Sequence, residues 1–149
     1  VLCMTTIEVG HAQESSKVEA KVNELVKKYE NVKGVDCMTV GKGIGLSMIK
    51  MMFNKQFGKQ FMKGVTRITI VDYSDASQQT SLDLRKELDA FIPLLDEIKL
   101  GKEKEFADND YIRSFATLLE DNTISDFIIA LENKDSKIIM YMGGKIQAK

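Results

Sequence analysis

The chain is short of the residues that most often carry chemistry. One His among 149 residues excludes any site that needs two imidazoles. Two Cys, Cys3 and Cys37, cannot build a disulfide framework. A single Pro, with 44% hydrophobic and 29% charged residues, excludes collagen-like and disordered chains. An excess of one charge is lacking as well. The 21 Lys and Arg against 22 Asp and Glu leave a net −1, so no nucleic-acid partner is expected. No apolar run approaches the roughly 18 residues of a membrane-crossing helix, so no transmembrane segment is expected. What is present is apolar material sufficient for one ordinary core.

Residues 1–13 read as the remnant of a signal peptide. They are mostly apolar or small, and Gly10-His11-Ala12 fits the small-x-small rule for cleavage after Ala12. Cys3 is a poor lipid-attachment site because Leu2 stands where a lipoprotein signal needs a small residue. Cleavage there would remove Cys3 and His11, leaving one thiol and no imidazole. An exported protein is therefore expected, with residues 14–149 forming a single domain.

Ser16 and Glu19 have the spacing of a capping box. Val18, Val22, Leu25, Val26 and Tyr29 follow as one apolar helical stripe. Val35 to Val40 reads as a strand, and residues 45–62 as a second helix stopping at Gly64. Thr66 to Asp72 alternates as a half-buried strand. A third helix begins near Thr80 or Ser81 and presents Leu84, Leu88, Phe91, Leu95 and Ile98. Pro93 lies inside that stripe and predicts a kink, because it cannot donate to Asp89. Beyond Lys102 the period becomes two. Strands are expected at Lys104–Ala107, Arg113–Leu119, Ile124–Leu131 and Lys137–Met142, separated by Asp- and Asn-rich turns. The expected fold is α+β: a mixed β-sheet with three helices packed on one face and a C-terminal antiparallel meander.

This order of elements carries a resemblance. The helix ending in Lys28-Tyr29 and the Met/Phe-rich run Met48-Ile49-Lys50-Met51-Met52-Phe53 come first, then the strand Ile68-Thr69-Ile70. The end Tyr141-Met142-Gly143-Gly144-Lys145-Ile146 follows. Over about Lys17 to Ile146 the chain resembles the domain-of-unknown-function 4252 family of small exported bacterial proteins. The resemblance implies an exported protein of the bacterial periplasm or cell envelope, and it supplies no catalytic residue.

Four features invite a chemical reading. Gly41-Lys42-Gly43-Ile44-Gly45 lies where phosphate loops lie, but its spacing fits neither the P-loop nor the dinucleotide fingerprint. A flexible turn is expected. Cys37 is expected to be a buried small hydrophobe with no neighbour to lower its pKa. Asp72, Asp75, Asp108 and Asp110 read as turn residues and caps, so neither a metal nor a cofactor is expected.

The fourth feature is the second helix. Leu46, Ile49, Phe53, Phe57 and Phe61 fall within an arc of about 120°, the expected core face. Met48, Met51, Met52 and Met62 fall opposite, with Lys55 and Lys59. A helix apolar on two sides is either sandwiched or carries an exposed contact face. The expected function is a non-catalytic envelope protein acting by protein–protein contact, its partner another protein or a second copy. That contact would use Met48, Met51, Met52, Lys55, Lys59 and Met62. A small carboxylate-based hydrolase and an apolar-ligand carrier are the alternatives.

Overall fold

Residues 17–98 and 110–147 are described by the structure, a computed structural model. The export signal, Ser16, the strand at 104–107 and the turn residues Asp108 and Asn109 lie outside the described residues. In chain order come α1 (residues 17–29), β1 (Asp36–Val40), α2 (Ile44–Phe57), α3 (Lys59–Lys63) and β2 (Val65–Asp72). Then follow α4 (Gln78–Glu87), a 3-10 turn (Leu88–Phe91), β3 (Asp96–Ile98), β4 (Tyr111–Leu118), β5 (Thr123–Glu132) and β6 (Lys137–Gln147).

The six strands form one sheet in the order β1-β2-β6-β5-β4-β3. An α+β fold with a C-terminal meander, β4-β5-β6, is therefore present as expected. Asn122 closes the β4–β5 turn with a φ of 62°, a left-handed conformation that Asn tolerates. Asn133 closes the next turn, its Oδ1 accepting from the backbone N–H of Asp135 and of Ser136, both at 2.8 Å. Every strand pair is antiparallel, so the sheet is not mixed.

The helices do not share one face. On one side Val18, Val22, Leu25 and Tyr29 of α1 and Leu84 of α4 pack with Val71, Phe115, Ile128 and Tyr141 of the sheet. On the other side Leu46 of α2 with Phe61 and Met62 of α3 packs on Ile68, Phe127, Ile129 and Met142. Alternate residues of each central strand thus enter different cores.

The expected second and third helices are both interrupted. Gly58 adopts φ 92° and ψ 145°, which separates α2 from α3. That region is essentially open to glycine alone. The third helix ends at Glu87 and tightens into the 3-10 turn ahead of Pro93 rather than kinking there. Lacking an N–H, Pro93 leaves the Asp89 carbonyl to Ile92, whose N–H donates at 3.2 Å in a tightened turn. Leu88, Phe91 and Leu95 still enter the core. Ile98 instead lies in β3 and packs against the opposite core.

Gly64 marks a close approach between layers. A Cβ there would stand 1.9 Å from the Lys145 carbonyl oxygen, and the Gly64 carbonyl accepts from the Lys145 N–H at 3.1 Å. This contact fixes the end of α3 against β6.

Candidate functional site

α2 crosses the sheet. At its start Gly45 sits beside the Val40 side chain of β1, and near its end the Phe57 ring lies 6.0 Å from that of Phe127 on β5. Phe61 of α3 completes the cluster at 5.6 Å from Phe57 and 5.5 Å from Phe127. Of the expected core face, Leu46 and Phe61 are buried, while Ile49, Phe53 and Phe57 are half-buried against the same core.

The opposite face is open. Met48 is 63% exposed, Met51 74% and Met52 72%, and Lys55 and Lys59 are exposed. Met62 does not belong with them. It is 1% exposed, because the break at Gly58 resets the helical phase and turns both Phe61 and Met62 inward. Ile44, the first residue of α2, is 82% exposed and joins this face, although the sequence reading leaves it in the preceding turn. The spacing could have shown it: Ile44, Met48, Met51, Met52 and Lys55 recur at i, i+4, i+7, i+8 and i+11. The glycine-rich turn before α2 is exposed, and nothing lies within 4 Å of a Cβ placed at Gly41 or Gly43.

Among the described residues two carboxylates are buried, both on β5 and on the side that faces α1 and α4. Asp126 accepts from the Tyr141 hydroxyl at 2.6 Å and from the Ser125 hydroxyl at 3.1 Å. Burial raises its pKa, and those two hydrogen bonds only partly oppose that. Glu132 accepts from Arg85 Nε at 2.7 Å, Arg85 Nη2 at 2.8 Å and the Tyr73 hydroxyl at 2.9 Å. Burial pushes its pKa up, but the Arg85 and Tyr73 hydrogen bonds and the Arg85 charge outweigh it and leave it lowered. Six residues along one strand separate the two groups by about 20 Å. Paired carboxylates of a hydrolase must stand within roughly 10 Å of each other. Each of these groups is instead held by structural partners.

Among the described residues no cluster of three His, Cys, Asp or Glu is placed to hold a metal. Asp72 caps a turn, its Oδ1 accepting from the Ser74 N–H at 2.9 Å. Cys37 is half-buried rather than buried, against the α1 side of the sheet. Burial pushes its thiol pKa up, and Glu30 and Asp36 add to the rise. A cavity between α1 and the sheet, lined by Val22, Leu25, Thr69, Phe91 and Ile128, holds about 10 Å³. An apolar ligand needs some 300 Å³ or more, so that cavity gives no support to carriage.

Comparison with family models, with curated proteins and with solved structures gives no match.

Proposed function

We propose that this chain is a non-catalytic exported protein of the bacterial envelope that acts by docking, with the outer face of α2 as its contact surface. The observation that carries this is the exposure of Ile44, Met48, Met51 and Met52 on one face of a helix whose other face is packed. Unbranched thioether side chains suit such a surface because they adapt to irregular partners. The placement in the envelope rests on Gly10-His11-Ala12 and on the resemblance to the domain-of-unknown-function 4252 family.

The test is a Met48→Ser/Met51→Ser/Met52→Ser variant, compared with the wild-type chain for recovery in a bacterial envelope fraction. Wild type is expected to associate and the variant to remain in solution. Each exposed substitution should change stability by no more than about 0.5 kcal/mol, so the triple variant should stay folded and melt within a few degrees of wild type. Equal association of the two proteins, or unfolding of the variant, would remove this face from consideration.

A further inference from the structure

Between Asp36 and Asp72 the chain has no acidic residue. The 35 residues 37–71 carry Lys42, Lys50, Lys55, Lys59, Lys63 and Arg67, a net +6. The other residues hold 15 basic and 22 acidic side chains, a net −7. A chain near neutrality as a whole is thus strongly polarised, and the fold gathers the positive part. Arg67 faces away, pairing with Glu19 and reaching Asn23 of α1. The five lysines all belong to the α2–α3 layer or its approach. Lys50 donates to the Lys63 carbonyl at 3.3 Å and ties α2 to α3. Lys42, Lys55, Lys59 and Lys63 are exposed, and among the described residues no carboxylate pairs with them.

The residue types indicate what such a layer contacts. Protein interfaces concentrate aromatic residues and Arg and are depleted of Lys. Here the aromatics Phe53 and Phe57 turn toward the sheet, and every cation of α2 and α3 is Lys. Lys on a long flexible stem suits a fluid array of phosphates, because the stem lies along apolar surface while the ammonium reaches the charge. An apolar stripe with lysines and no carboxylate is the pattern of a helix lying in a bilayer interface. Resting on the reading of this face as a contact surface, we propose that its partner is an anionic lipid bilayer. Ile44, Met48, Met51 and Met52 enter the headgroup layer, and Lys42, Lys55, Lys59 and Lys63 meet the lipid phosphates.

Sedimentation with protein-free vesicles tests this, using phosphatidylcholine alone and an equimolar mixture with phosphatidylglycerol. The chain is expected to sediment with the mixed vesicles only, and less so as salt is raised. Lys55→Gln/Lys59→Gln is expected to weaken binding about 30-fold, each lysine near an anionic surface being worth about fivefold. Lys27→Gln/Lys33→Gln makes the same change in net charge on exposed residues outside the layer, and should bind as wild type does. The Met48→Ser/Met51→Ser/Met52→Ser variant should lose binding while staying folded and melting within a few degrees of wild type. Failure to sediment with the mixed vesicles, equal binding to both vesicle types, or an equal loss in the Lys27/Lys33 variant would overturn the proposal. Association with an envelope fraction but not with protein-free vesicles would make the partner a protein. The lipid inference would then fail while the contact face itself stood.

Discussion

Asp126 and Glu132 are the same kind of group on the same face of one strand, yet their surroundings drive them in opposite directions. Asp126 has two hydroxyl donors and, among the described residues, no cation paired with it, so burial dominates and its folded pKa is raised. Ionised Asp126 therefore weakens the fold, and the cost shrinks as pH falls below the raised value and is gone below the ordinary aspartate value of 3.8. Glu132 has the Arg85 fork, and its folded pKa is lowered. Its stabilisation is fully present above the ordinary glutamate value of 4.5 and is lost as pH falls below that through the folded value. Glu132→Gln should cost about 1.5–3 kcal/mol at neutral pH, as for a hydrogen bond to a charged group, and the gap to wild type should close in acid. Asp126→Asn keeps an acceptor for Tyr141 and should be at least as stable as wild type at neutral pH. That advantage should shrink as pH is lowered. Urea denaturation over a pH series reads both, and parallel curves for the two variants would contradict the opposed shifts.

Much of each helix was legible in its spacing, and the limits of that legibility are physical. Val18, Val22, Leu25 and Tyr29 of the α1 stripe are buried as read, with Val26 half-buried against them, because an uninterrupted helix keeps its 100° step. The same arithmetic carried across Gly58 placed Met62 on the outer face. A backbone turn that only glycine adopts cannot be seen as a change of phase in a pattern of apolar residues. Pro93 is the converse case, since Leu88, Phe91 and Leu95 stay buried although the backbone tightens and stops. Spacing reported their burial but not their conformation. Gly58→Ala meets open space, so its cost is one of backbone strain, about 1–3 kcal/mol. Phe61→Ala removes a ring buried between α3 and Phe127, and should cost about 3 kcal/mol or more. Met51→Ser should remain within about 0.5 kcal/mol. Thermal melts of the three variants rank these effects, and a Met51 loss matching that of Phe61 would place the methionine stripe in a core.

At the scale of the whole molecule, the sheet is sandwiched between two unequal layers. A signal for this stood in the sequence: Phe127-Ile128-Ile129-Ala130-Leu131 and Ile138-Ile139-Met140-Tyr141-Met142 are continuous apolar runs. A strand with one wet face alternates, whereas a strand covered on both faces does not. A meander leads to an expectation of alternation, which leaves no place for a second layer and puts every helix on one side. The layers differ in how firmly they are held. β5 has eight of its ten residues buried, whereas α2 has Leu46 alone buried among fourteen. α2 also begins without a side-chain cap and without an acidic residue in its first turn, so neither feature offsets its dipole. Little apolar burial and an uncapped start are the marks of a unit that opens below the global transition. Amide hydrogen exchange should therefore be faster through α2 than through β5 and β6. A membrane-facing or partner-facing helix gains from that arrangement, because α2 can adjust to a surface while the core on the α1 side of the sheet stays closed. Uniform protection of α2 and β5 would show that the two layers open only together.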